Sequence, residues 1–275
     1  MFEILKTVLL LSCVGGIAAL VLLILKPLTV RKISARWQYY IWLVVLAAMV
    51  LPVWKLIPKA ALTPIYTVQP DQTAPGNDPL TEGSPVMYNY VPIEYRTVEV
   101  LRRSVSVTDM APRVWLGGMA VYFILAFGSY GLFLIKKCHN SKPMEDCPEF
   151  IEAKAELNIK RGPRLRRCRD IDSPMLVGIL RPVVYMSERE LRSESLKMVF
   201  LHELTHYRRR DLLLKWLTLI INGVHWFNPL AYAVSANINE ACELSCDMAV
   251  TKYMSEKEQK LYMSTILNLV EGGKK

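Results

Sequence analysis

Three stretches of this chain, residues 8–25, 37–54 and 114–135, contain no charged side chain. An apolar run of about 17–25 residues matches the hydrocarbon thickness of a bilayer when it is helical. The hydrophobic fraction is 52%, and these runs predict a mainly α membrane protein. The short basic segment after the first run carries Lys26, Arg31, Lys32 and Arg36, and Lys136 and Lys137 follow the third. Basic residues collect on the cytoplasmic side of short membrane loops. The N-terminus is therefore expected outside, and everything after residue 136 inside. A cleaved signal peptide fits less well, because Glu3 sits in the leader, the apolar run is long and no A-x-A site follows.

This reading divides the chain into residues 1–57 (two spans and a cytoplasmic loop), an external loop at 58–113, a third span at 114–135, and a cytoplasmic, membrane-associated domain at 136–275. The external loop is rich in turn dipeptides, with Pro75-Gly76 and Asp78-Pro79 among them. Residues 98–107 alternate enough to suggest a strand. The net charge of +9 is accounted for by basic membrane flanks. No zinc-finger spacing or aromatic-basic pattern accompanies it, so direct nucleic-acid binding is not expected. Most of the six cysteines fall in the inner domain and read as reduced thiols.

The chemistry is concentrated in His202-Glu203-Leu-Thr-His206. Positions i and i+4 lie on one helix face, so the two imidazoles can share a Zn²⁺ ion. Glu203, beside His202, is placed to act as general base toward a water on the open side of the metal. Ser193 ahead of Leu196, Val199, Phe200 and Leu204 reads as an N-cap followed by apolar residues at helical spacing. The bland alternative is an ordinary helix with two histidines one turn apart. A catalytic zinc site needs a third protein ligand. Glu243 is the expected supplier, with Glu240 in reserve, and Asp247 one turn later could fix the tautomer of a ligand histidine. Cys242 and Cys246 are a competing pair, although thiolate-rich sites are usually structural.

Residues 212–237 are strongly apolar but broken by Asn222-Gly-Val-His-Trp-Phe-Asn-Pro229. A single crossing there would place the histidines and Glu243 on opposite sides of the membrane. A helical hairpin is therefore expected, buried in the protease core or dipping into the bilayer. Lys215 would lie on its wet side, and His225 would cap or hydrogen-bond its turn, with substrate contact as the alternative. A polar helix is expected at residues 145–157 and another at 256–270. The basic run at 160–167 reads as a solvated strand near anionic headgroups. Two short strands are expected at 172–178 and 182–186. The first of them, with Pro174, Met175, Leu176 and Val177, could hold a substrate backbone by strand addition.

Together these residues resemble the integral-membrane metallopeptidases of the bacterial β-lactam sensor-transducer (BlaR/MecR) type. The resemblance rests on Ser173-Pro-Met-Leu-Val-Gly178, Leu180-Arg181-Pro182, His202-Glu-Leu-Thr-His206-Tyr207 with Arg209-Arg210-Asp211, His225-Trp-Phe-Asn-Pro229 and Glu243-x-x-Cys246-Asp247. It implies an α+β gluzincin-like zinc protease domain with a small sheet, on the cytoplasmic face of the bacterial plasma membrane. The family's third metal ligand matches Glu243. The implied partners are the lipid bilayer and a protein substrate, either a transcriptional repressor or the protein itself. No Ser-x-x-Lys or Lys-Thr-Gly occurs in the chain, so a penicillin-acylated serine of the usual type is not expected within it. The competing functions are a housekeeping membrane protease and a non-catalytic membrane scaffold.

Overall fold

A computed structural model describes residues 1–29, 32–52, 107–139, 141–144, 147–171, 173–188 and 191–272. Three apolar helices come first: α1 (Phe2–Thr29), α2 (Ala35–Val50) and α3 (Val107–Phe133), which ends in a π-helical turn, Leu134–Cys138. By length and composition α1 and α3 can cross a membrane, whereas α2 is a shorter apolar helix. The third helix begins at Val107, so residues 107–113 are helical and not part of the loop expected there. The rest of that loop, including most of the strand expected at 98–107, lies outside the described residues.

A small mixed sheet follows, made of β1 (Lys142–Pro143), β2 (Arg164–Cys168), β3 (Met175–Val177) and β4 (Val183–Ser187), in the spatial order β1-β2-β4-β3. β2 is parallel to β4, and the outer strands β1 and β3 are antiparallel to their neighbours. Helix α4 (Pro148–Glu156) precedes β2. Gly178, with φ of 89°, turns the chain out of β3, and a Cβ there would stand 2.8 Å from the Arg181 carbonyl oxygen.

The sheet and α4 pack on α5 (Ser193–Arg209), the helix carrying His202 and His206. Val199, Phe200, Leu201 and Leu204 face a core completed by Phe150, Val184, Met186 and, from α8 (Glu256–Gly272), Tyr262 and Leu269. The expected N-cap is displaced by one residue. Arg192 holds the cap position without a side-chain bond, and Ser193, the first helical residue, turns its hydroxyl to Glu149 Oε1 at 2.7 Å. An acceptor on a neighbouring helix has drawn that hydroxyl away from the local backbone.

Arg210, at φ 60°, is both the C-cap of α5 and the N-cap of α6 (Asp211–Val224). One left-handed residue thus separates two helices. After the break at 225–228, α7 (Pro229–Thr251) runs back, its first turn capped by the Asn228 side chain, which accepts from the Leu230 N–H. α6 and α7 form the expected hairpin, packed on α1 and α2 through a second core of Ala19, Trp42, Val45, Leu46, Met49, Ile221, Ala231, Val234, Ile238 and Ala241. Its tip is pinned by polar contacts. Asn228 Nδ2 donates to Ser12 Oγ at 2.7 Å. Trp226 Nε1 donates to the Trp115 carbonyl at 3.1 Å, and Trp115 Nε1 to the Val224 carbonyl at 2.9 Å. His225 caps the C-terminus of α6, its backbone N–H donating to the Ile221 carbonyl at 2.9 Å and its own carbonyl accepting from the Asn228 N–H at 2.8 Å, but its side chain bonds outside the turn. It is buried, with Nε2 3.1 Å from the carbonyl of Met49 on α2.

Candidate metal centre

Helix α5 buries one face in the sheet core and presents His202 and His206 on another, one turn apart. Their Nε2 atoms are 3.2 Å from each other. From α7, Glu243 Oε2 stands 3.1 Å from His206 Nε2 and 3.6 Å from His202 Nε2. Three donor atoms from two separate helices therefore converge on one point.

The far side of each ring is occupied. His206 Nδ1 is 2.8 Å from Oδ2 of Asp211, a fully buried carboxylate that also receives Arg209 Nε at 3.3 Å. His202 Nδ1 lies 2.7 Å from the Tyr262 hydroxyl and 3.3 Å from Asp247 Oδ1. The Tyr262 hydroxyl donates its own proton to Asp247 at 2.6 Å, so its oxygen accepts from His202. Both rings are thus assigned Nδ1–H from their partners, which leaves both Nε2 lone pairs facing the Glu243 oxygen.

Lone pairs so arranged repel unless they share a proton or a metal cation. Burial pulls the His202 imidazole down, but Asp247 and Glu243 outweigh it and push it up to about 10. Burial is likewise overcome at His206 by Asp211, the two cysteines and Glu243, and its imidazole is held well above the ordinary range. The site is therefore strongly negative around its two rings. Donors about 2.0–2.1 Å from a tetrahedral zinc stand about 3.4 Å apart, and the three separations here bracket that value. The donor set fits a zinc ion.

A cleft of about 210 Å³ opens on the three residues. It is lined also by Glu203, Lys215, Pro174 just before β3 and the β3 residues Met175 and Leu176, but not by Val177. Among the described residues, the Glu203 carboxylate is held by no hydrogen bond or ion pair, and it lines the cleft. Glu240 turns away to Lys26 on α1, at 2.6 Å, which leaves Glu243 as the carboxylate at the centre. Cys242 and Cys246 bring sulfur close behind the rings, in the groups His206–Asp211–Cys242 and His202–His206–Cys246. Burial pushes the Cys242 thiol up and keeps it protonated. Cys246 points its sulfur at the His202 carbonyl, 3.7 Å away.

Sequence reasoning had not assigned Asp211, Tyr262 or Lys215 to the centre. A carboxylate five residues after a helical histidine leaves that face of the helix. Asp211 returns to His206 only because Arg210 breaks the helix in a conformation usually reserved for glycine. Tyr262 comes from 60 residues further on, with no local pattern to mark it.

Two imidazoles and a glutamate around a shared point, each imidazole backed by a carboxylate, define a metallopeptidase-type centre. The family described as BlaR1 peptidase M56 matches residues 6–275, and the chain belongs to it. The regulatory protein BlaR1 of Bacillus licheniformis is 27% identical over 263 residues, covering 90% of this chain and 43% of that protein. The methicillin resistance mecR1 protein of Staphylococcus aureus is 23% identical over 168 residues, covering 59% of this chain and 28% of that protein. The chain thus spans less than half the length of these curated relatives.

Proposed function

We propose that this protein is a membrane-bound, gluzincin-like zinc endopeptidase of transmembrane signalling, which cuts an intracellular regulator or itself at the cytoplasmic face of the bacterial plasma membrane. The observation that carries this reading is the convergence of His202, His206 and Glu243, 3.1–3.6 Å apart, with Glu203 in the same cleft. When bound, zinc supplies a Lewis acid that polarises a peptide carbonyl and acidifies water. Glu203 takes the proton from the attacking water and passes it to the departing amine. Asp211 and Asp247, the latter with Tyr262, hold the Nδ1 protons, so each ring presents Nε2 to the metal. β3 has a neighbour on one side only among the described strands. Its outer edge lies at the cleft and can take an extended substrate as an added strand.

The signalling role is drawn from the relatives, one named a regulatory protein and the other a resistance protein. The orientation rests on the basic residues after α1 and α3. In it, residues 1–57 and 114–135 supply the membrane helices, 58–113 the external loop and 136–275 the protease domain. The α6–α7 hairpin enters the helix bundle from the inner side, so His202 and Glu243 share one face of the membrane.

Glu203→Gln is expected to abolish cleavage of a co-expressed substrate while one zinc per chain stays bound, and His202→Ala to lose both. The measurements are zinc content by elemental analysis and cleavage by immunoblot. Persistent cleavage by the Glu203 variant overturns the enzymatic reading.

A further inference from the structure

The two oxygens of Glu243 have different neighbours. Oε2 faces the imidazole pair, whereas Oε1 is 3.2 Å from the ammonium of Lys215. Lys215 belongs to neither ligand-bearing helix; it stands on α6. Asp211, one turn earlier on α6, bonds His206 Nδ1. Positions i and i+4 share a helix face, so a single face of α6 supports two of the three donors from behind. α6 is itself anchored at this level. Trp216, the next residue, stacks on Phe127 of α3 with ring centroids 5.8 Å apart and meets Tyr130 edge-on at 5.2 Å.

We propose that Lys215 is a positioning residue of the metal centre: by holding Oε1, it makes Glu243 a one-oxygen ligand. This rests on the reading of His202, His206 and Glu243 as metal ligands. A carboxylate with both oxygens free can bind in two-oxygen fashion and take up the position that a catalytic site keeps open for water and substrate. Holding one oxygen back preserves that position. The Lys215–Glu243 pair is 44% exposed on each side, and such pairs contribute little to stability. The contact matters for the orientation of the carboxylate. Because Trp216 clamps the same turn of α6 to α3, the orientation of a metal ligand is tied to the helix that leads in from the external loop.

The test uses the full chain in detergent, loaded with Co²⁺, whose visible bands weaken as coordination number rises. Wild type is expected to bind one Co²⁺ with strong bands. Lys215→Met is expected to keep one Co²⁺ but to show weaker bands and about tenfold lower affinity, in the range of lost support behind a ligand. Lys215→Arg should restore both in large part. In a Glu243→Ala background, Lys215→Met should have no further effect on Co²⁺ affinity, since the two act through one contact. An unchanged spectrum and affinity in Lys215→Met, with wild type binding normally, overturns this inference alone. Failure of wild type to bind Co²⁺ overturns the metal assignment and this inference with it. Lys215 is half exposed, so its replacement does not threaten folding.

Discussion

Around α5, the core joins sheet to helix. Phe150 meets Phe200 edge-on at 5.1 Å, Val184 and Met186 close the sheet side, and the outer faces of α4 and α8 mix charged residues such as Glu152, Glu156, Lys257 and Lys260 with exposed Ile151, Met263 and Leu267. Around α7, the core is helix against helix and its close contacts use small residues. Ala19 and Ala231 are fully buried, and a Cβ at Gly15 would stand 2.2 Å from Met49 Cγ. The outer faces there are apolar as well, with Ile17, Val44 and Ile220 exposed. The first core is built as in a water-soluble protein, where exclusion of water drives packing. The second is built as helices pack in lipid, by close approach of backbones. The candidate metal centre lies on the seam: the first core carries both histidines and the second carries Glu243. Neither half holds a complete site.

That contrast can be broken from either side. Phe200→Ala should have the largest effect, destabilising the sheet-side core by about 3–5 kcal/mol. Hydrogen exchange should rise in α5 and β4 first, with α1 and α2 still protected; simultaneous loss of protection in both regions would show one cooperative core. Gly15→Val strikes the other side and should cost about 1–3 kcal/mol by overpacking. It should displace α1 from α2, read as loss of a cysteine crosslink engineered between them, while α5 stays protected. Tyr262→Phe works at the seam. It keeps the ring in the sheet-side core but removes the hydroxyl between His202 and Asp247, and should weaken zinc about tenfold with thermal stability lowered by about 1 kcal/mol. A zinc titration with a competing chelator measures it. The smallest effect is expected at Arg210→Gly, which relieves a left-handed conformation and should stabilise the α5–α6 junction by about 1 kcal/mol or less, seen as a slight rise in Tm.

What could be read from the sequence was what is local to it. The i, i+4 spacing of His202 and His206 announces its own helix face, and the break from Asn222 to Pro229 announces a hairpin. The strands at Met175–Val177 and Val183–Ser187 were marked by Pro, Gly and apolar residues around one turn. Contacts between elements were not visible. Ser193 looked like a cap until Glu149, 44 residues away, took its hydroxyl. β1 is too short to leave a pattern, because pairing with β2 alone defines it. Asp211 stood inside the quoted motif, but its partner was hidden by a helix break that no glycine marks. His225 was read as local, and its backbone does close the turn, but its side chain reaches α2, 176 residues earlier.

The hairpin tip has a consequence for how the protein is made. Ser12 emerges from the ribosome 216 residues before Asn228, the Met49 carbonyl 176 before His225, and Trp115 111 before Trp226. At about 5–20 residues per second, the first of these groups waits about 10–40 s for its partner. During that interval three apolar helices exist without the segment that ties them together. Assembly of the bundle therefore waits for the α6–α7 stretch, and the same stretch brings Glu243 to His202 and His206.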